Sequence, residues 1–232
     1  MRYNLFPVGD QAVLIEVGTE ISPAAEKIVN RIIARLEELK PAWLIEYIPA
    51  YTTVTVVYSV KGFNEKNPYD FVCTCIRELL ENMNEVSVRE QRVVKIPVLY
   101  GDDHGSDIDF VAAHNGLTRE EVICIHTSGE YTVHMIGFAP GFPFIGGMSE
   151  KIAAPRRETP RLQIPSRTVG IAGLQTGVYP IESPGGWQLI GRTPLELFLP
   201  NTDPPSLLTA GDRIRFYEIT LEQYKEMRGG VE

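Results

Sequence analysis

The chain has 232 residues, 44% hydrophobic and 22% charged, with a formal net charge of −8. That length fits one large domain or two ordinary ones, and the acidic balance argues against a general nucleic-acid binder or a protein held by charge to anionic membranes. No apolar run reaches the roughly 20 residues that span a bilayer. The first thirty residues, broken by Asp10, Glu16, Glu20 and Pro23, do not read as a signal peptide, so a cytoplasmic protein is expected.

In chain order, "AVLIEV" (12–17) reads as a short strand. Ser22-Pro23 supplies a helix cap followed by proline at the first helical position. Ile28, Val29, Ile32, Ile33, Leu36 and Leu39 then recur at helical spacing, and Pro41 closes the helix. "AWLIEYIPA" and "TTVTVVYSV" read as two strands, rich in β-branched and aromatic residues. Asn67-Pro68 opens a second helix whose buried face is predicted to carry Phe71, Val72, Cys75, Ile76, Leu79, Leu80 and Met83. Two helices over a small sheet predict an α+β N-terminal domain over 1–88, of ferredoxin-like type.

The pattern changes near 86–93. "VVKIPVLY" (93–100) is a strand. Ser106 is placed to cap a short helix that stops at Asn115-Gly116, and Thr118 with Glu121 forms a capping box for the next. Beyond them come short strands and turns: "YTVHMIGF", "VGIAG", "GVYPI", "WQLIG" and "RIRFYEI". Residues 137–195, a quarter of the chain, hold ten of its 20 glycines and eight of its 17 prolines. Pro184-Gly185-Gly186 suits a type II turn. A closed β-barrel over 89–232 buries such strands without exposed edges.

The stretch "GFAPGFPFIGG" (137–147) lacks the Lys-Ser/Thr ending of a phosphate loop, and its prolines bar it from a helix interior or a central strand. It reads as an irregular pocket wall or docking surface, with Phe142 held out of a strand by Pro140 and Pro143. Cys73, Cys75 and Cys124 are too few and too oddly numbered for a disulfide framework. Cys73 and Cys75 lie two residues apart in a helical pattern, so their thiols point to opposite faces. The four histidines, His104, His114, His126 and His134, show no paired-ligand spacing, and no protein-bound metal is expected. His126, in the last turn of its helix, suits a cation at the negative end of the helix dipole.

Between Pro155 and Leu195 the charges are Arg156, Arg157, Arg161, Arg167 and Arg192 against Glu158 and Glu182. Arginine's planar fork matches carboxylate and phosphate. The same residues also fit scattered surface charges that offset acids elsewhere, and both readings stand at this point. Gln163, Gln175 and Gln188 add neutral hydrogen-bonding groups. Phe138, Phe142, Phe144, Tyr179 and Trp187 fit either a pocket floor or barrel packing. The candidate ligand-binding set is Phe138, Phe142, Arg161, Gln175, Tyr179, Trp187, Gln188 and Arg192. No nucleophile with its base is legible.

The runs "GFAPGFPFIGGM", "APRRETPRLQIPSRTVGIAGLQTGVYPIESPGGWQLIGRTPLELF" and "DPPSLLTAGDRIRFYEI" resemble the signature segments of the KipI/PxpB family, also described as allophanate hydrolase subunit 1-like. "FPVGDQAVLIEVG" and "YGDDHGSDIDFVAAHNGLTREEVICIHT" fit it too, so the resemblance covers essentially the whole chain. One departure is Ser166-Arg167-Thr168, where the family pattern has a small residue, glycine and serine. The resemblance implies a cyclophilin-like barrel. It implies a role as the B subunit of an ATP-dependent 5-oxoprolinase, with ATP as co-substrate of the complex. The partners it implies are a C-type subunit (KipA, allophanate hydrolase subunit 2-like) and a separate A-type subunit. The isolated chain is then expected to be inactive. The alternative it implies is an inhibitor docking on a sporulation sensor histidine kinase.

Overall fold

Alternation of apolar residues builds the first sheet. In the computed structural model, which describes residues 2–61, 67–81 and 92–229, strand β4 (Thr53–Tyr58) buries Val54, Val56 and Tyr58 and leaves the residues between them half-buried. Its neighbour β2 (Ala12–Glu16) sets Val13 opposite Val56 and Ile15 opposite Val54. Strands β1 (Asn4–Val8) and β3 (Leu44–Pro49) form the edges, giving an antiparallel order β1-β2-β4-β3. Helices α1 (Pro23–Leu39) and α2 (Pro68–Glu81) cover one face. Val29, Ile32 and Leu36 from α1 join Val72, Cys73, Ile76, Leu79 and Leu80 from α2 over those strand residues.

The Ser22 hydroxyl accepts from the Ala25 amide, so the predicted cap of α1 is present. The helix ends at Lys40 in the left-handed region. Three details differ from the sequence reading. Leu39 and Phe71 are exposed, and Cys73 rather than Cys75 faces the core. The apolar stripe of α2 is rotated by about one position because the sheet selects the Val72–Cys73–Ile76 arc. Strand β1 is an addition to the sequence reading: Pro7 interrupts its pattern, yet an edge strand tolerates a residue without an N–H. Met83 lies outside the described residues.

The coarse class is an α+β unit, but its element order is ββαββα. A ferredoxin-like chain runs βαββαβ, and moving its last strand to the front gives the order found here. The chain divides into Met1–Glu90 and Gln91–Glu232. Most of the expected boundary, 86–93, lies outside the described residues.

The second unit is a closed barrel of seven strands with the circuit β10-β7-β6-β13-β5-β12-β9. These are β5 (Val93–Tyr100), β6 (Tyr131–Ile136), β7 (Pro143–Gly146), β9 (Thr168–Ala172), β10 (Gln175–Val178), β12 (Gln188–Arg192) and β13 (Arg213–Glu218). The sheet is mixed: β13 runs parallel to β5 over six residue pairs, while the other pairings are antiparallel. Closure removes the edges that short strands would otherwise expose. A separate ribbon pairs β8 (Arg161–Ile164) with β11 (Ser183–Gly185). Ile96, Val98, Val133, Ile145, Val169, Ile171, Ile190, Ile214 and Phe216 fill the core.

Helices α3 (Ile108–Asn115) and α4 (Arg119–Ser128) pack on this core through Ile108, Val111, Val122 and Ile123. The Thr118–Glu121 capping box and the left-handed Gly116 stop are both present. Asp107, not Ser106, occupies the cap position of α3, and its side chain makes no capping bond. The segment 137–147 is irregular only as far as Phe142. From Pro143 it forms β7 inside the barrel, because proline is admissible as a strand's first residue. Pro184-Gly185-Gly186 is not a type II turn: neither glycine has positive φ, and Ser183–Gly185 pairs with β8. Helix α5 (Leu221–Met227) is a further addition, although Thr220 and Gln223 form a capping box legible in the sequence.

Candidate functional site

The loop joining β6 to β7 is a six-residue hairpin connection. It is held by Gly137 N–H donating to Phe142 O at 3.0 Å and by Phe142 N–H donating to Ala139 O at 3.0 Å. This tight loop turns Phe138 outward and Phe142 inward. Phe142 is 3% exposed and Phe138 74% exposed. The reading of Phe142 as part of an open pocket wall or docking surface is therefore corrected. Pro143 starts the strand directly behind Phe142 and points its ring into a cluster instead of holding it away from one.

Phe142 is the hub of that cluster. Its ring meets Phe138, Phe144, Tyr179 and Trp187 edge to face, with centroids 5.4, 5.2, 5.6 and 5.8 Å away. Edge-to-face contact places a positive ring edge on a negative ring face. Two glycines make room. A Cβ at Gly177 would come within 2.9 Å of the Trp187 ring, and one at Gly185 would collide with the Tyr179 hydroxyl. Gly185 thus serves close approach rather than a turn. Burial pushes the Tyr179 phenol up to about 12, while Arg156 and Arg161 pull it back. Phe138 holds φ 68, a conformation that bulky residues rarely adopt.

Arginine borders these rings. Arg161, on β8, donates to Trp187 O at 3.4 Å and to the Asp107 carboxylate at 2.7 Å. Arg157 reaches the same carboxylate oxygen at 3.4 Å, and its amide donates to Gly186 O at 2.7 Å. Buried Gln188 donates from its side chain to Pro155 O at 2.8 Å, anchoring the loop that carries Arg156 and Arg157. Gln175, half-buried, starts β10 opposite Ala172, itself part of the aromatic cluster.

Six of the eight candidates, Phe138, Phe142, Arg161, Tyr179, Trp187 and Gln188, are thus linked through direct contacts or one intervening loop, and Gln175 borders them through Ala172. Arg192 stands apart. Its Nε donates to Ser166 O at 3.1 Å, beside Arg167, and no described contact joins it to the rings. Arg167 and Arg228 both pair with Glu196, at 3.2 and 2.9 Å. Arg167 has φ 69, so the turn demands the left-handed backbone that the family pattern fills with glycine. Asp107 escapes the sequence reading. Its only sequence signal is an aspartate at a helix start, where capping explains it too readily.

A second polar group lies inside the barrel. The Thr176 hydroxyl donates to Gly170 O at 3.1 Å, so it accepts from His126 Nε2, 3.0 Å away. His126 Nδ1 is then an acceptor, and the Tyr100 hydroxyl donates to it at 2.7 Å. This is a neutral imidazole, and complete burial lowers its pKa to about 3. The expected cation at the end of α4 is corrected: the side chain turns into the core, where a charge would be desolvated. Among the described residues no group of three or more His, Cys, Asp and Glu is placed to hold a metal ion. No described helix is long and apolar enough to cross a membrane.

Fold and site together define a chain whose mixed β-barrel carries a buried aromatic cluster, exposed at Phe138 and bordered by arginine. A family model for the carboxyltransferase domain, subdomain C and D, matches residues 3–208. The chain is 48% identical over 230 residues to the 5-oxoprolinase B subunit of Bacillus subtilis (strain 168), covering 97% of this chain and 96% of that protein. It is 40% identical over 217 residues to the 5-oxoprolinase B subunit of Escherichia coli O157:H7, covering 93% and 95%. A solved structure of a conserved uncharacterized protein from Pyrococcus horikoshii is similar with a TM-score of 0.56 at 41% identity, over 95% of this chain and all of that one. The chain therefore belongs to the KipI/PxpB family of proteins that carry this carboxyltransferase subdomain.

Proposed function

We propose that the chain is the B subunit of an ATP-dependent 5-oxoprolinase and helps open 5-oxoproline to L-glutamate. The observation that carries this is the 48% identity to a 5-oxoprolinase B subunit across nearly the full length of both chains. The lactam amide is stabilised by resonance, so its opening gains from activating the carbonyl oxygen with ATP. Such a step needs positive groups where phosphate charge develops. The substrate is a small ring with one carboxylate. Arg161 offers a fork for that group and the exposed Phe138 offers apolar contact, both supported by the buried rings of Phe142, Tyr179 and Trp187; Gln175 and Gln188 complete the proposed binding set. Arg192, placed apart, is proposed to act on the assembled complex and not on the same ligand.

The sequence holds no phosphate-binding loop, so ATP binding is assigned to a surface completed by partner chains. The partners are a C-type subunit and an A-type subunit in the cytoplasm. The N-terminal unit is proposed to be a permuted ferredoxin-like fold and the barrel to be cyclophilin-like, with separately folding parts near 1–88 and 89–232. No described feature specifically favours a histidine kinase as the partner. The test is reconstitution: the chain alone shows no ATP-dependent loss of 5-oxoproline, and the chain with both partners does. Turnover by the chain alone overturns the shared site, and no turnover in the reconstituted complex overturns the reading.

A further inference from the structure

Asp107 occupies the cap position of α3 yet gives α3 no cap. An aspartate there ordinarily accepts from the helix's own first amides. Here the carboxylate is committed elsewhere. Its Oδ2 accepts from the Leu189 amide at 2.7 Å, while its own amide donates to Leu189 O at 2.8 Å. This two-way clamp fixes Asp107 on β12, one strand residue beyond Gln188. Its Oδ1 accepts from Arg161 and Arg157. Asp107 is itself buried.

The charges at this point do not balance. One buried carboxylate faces two guanidinium groups, and among the described residues neither arginine has another acidic partner. Arg156, next in the chain, makes no described ion pair. Their side chains stay open to solvent, Arg157 by 39% and Arg161 by 24%. A guanidinium carries five N–H donors in a rigid plane. Arg157 has Nε and Nη2 free of described bonds, and Arg161 has Nε. The donors left over belong to groups whose positions a buried carboxylate already fixes, beside the Trp187 backbone. Fixed, partly desolvated donors of one sign suit a small oxyanion better than a mobile surface arginine does.

We propose that Asp107 is a positioning residue that holds Arg157 and Arg161 as the receptor for the carboxylate of a small substrate bound at the solvent-open side of their guanidinium groups. The identity of that substrate rests on the 5-oxoprolinase reading; the carboxylate receptor does not. Phosphate offers similar chemistry, and the commitment to carboxylate follows from the charge: two guanidinium groups on one buried aspartate leave a single positive charge, which a monoanionic carboxylate matches and a phosphate exceeds.

The experiment follows Trp187 emission in the full-length chain carrying Trp43→Phe, titrated with 5-oxoproline, with its neutral carboxamide and with inorganic phosphate. 5-Oxoproline should shift the emission, the carboxamide should bind at least tenfold more weakly, and phosphate should not compete at equal concentration. In the assembled complex, Asp107→Asn, Arg157→Gln and Arg161→Gln should raise KM for 5-oxoproline tenfold or more with kcat changed far less. Arg161→Lys, which keeps the charge without the fork, should recover part of the loss. Arg157→Gln, at the exposed rim, keeps the test open if Asp107→Asn fails to fold. Equal binding of acid and amide, displacement by phosphate, or unchanged KM in the arginine variants overturns the receptor. Carboxylate binding without turnover in the complex keeps the receptor and overturns the oxoprolinase reading; turnover with unchanged KM in the arginine variants does the reverse.

Discussion

The barrel unit holds two aromatic clusters of similar size with opposite finish. The inner one joins Tyr100, His126, Tyr131 and Phe216, with ring centroids 4.5 to 5.7 Å apart. All four residues are buried, and every polar ring atom has a partner: Tyr131 donates to His126 O at 2.7 Å, and the Tyr100–His126–Thr176–Gly170 chain is complete. The outer one joins Phe138, Phe142, Phe144, Tyr179 and Trp187, leaves Phe138 in solvent and borders arginines whose charge is only half matched. A closed polar network rigidifies a core. An open one keeps donors available. The difference separates a cluster built for stability from one suited to a ligand, and neither composition nor ring count distinguishes them.

The comparison is broken most severely at Phe142, the hub of the outer cluster, which like Tyr179 and Trp187 is packed as an inner residue. Phe142→Ala should destabilise the chain by about 3–5 kcal/mol, read as a lowered urea midpoint. A change below about 1 kcal/mol would mean that the outer cluster is loose throughout. The inner cluster is sharpened by acid. The folded pKa of His126 is depressed, so its contribution is fully present above the unfolded value near 6.5 and is lost as pH falls toward about 3. The loss is about 1.4 kcal/mol for each pH unit in that window. NMR titration of the imidazole should show His126 neutral at pH 5; titration near 6.5 would remove it from the closed network. A smaller effect comes from Tyr100→Phe, which leaves Nδ1 without its donor at a cost of about 1–3 kcal/mol, measured by denaturant melts at neutral pH.

Much of the fold was legible because local signals and burial agree. The Thr118 capping box, the Gly116 stop and the alternation in β4 each have one cheap solution. Legibility failed where a residue's use depends on something distant in sequence. Gly185 reads as a turn glycine, but its smallness serves the hydroxyl of Tyr179. Ser106 reads as the cap of α3, but Asp107 holds that position and its carboxylate serves arginines fifty or more residues away. His126 reads as a residue suited to positive charge because α4 ends there, and only the barrel shows which way the ring turns. Phe138, Tyr179 and Trp187, drawn together in the sequence by glycine and proline density, do lie in one ring cluster. Adding Arg192 to that set rested on its strand, and strand membership alone does not say which end of a barrel a side chain serves.

The smallest stability effect should come from the residue whose exposure defines the outer cluster. Phe138 combines an exposed ring with φ 68. Backbone strain of this kind costs on the order of 1–3 kcal/mol and persists where surrounding structure enforces it. Here the enforcement is the tight loop closed by Gly137 and Phe142. Phe138→Ala removes an edge-on contact with Phe142 but also the exposed apolar surface, so stability should stay within about 0.5 kcal/mol of the parent. Phe138→Gly should be at least as stable, since glycine accepts positive φ without a Cβ clash. If the ring is an anchor for substrate or partner, both variants should lose activity in the assembled complex by tenfold or more while their melting temperatures hold. Melting curves run beside turnover measurements decide the matter. A clear drop in stability for Phe138→Ala would assign the ring to packing, and full activity in both variants would leave the strained loop without a binding role.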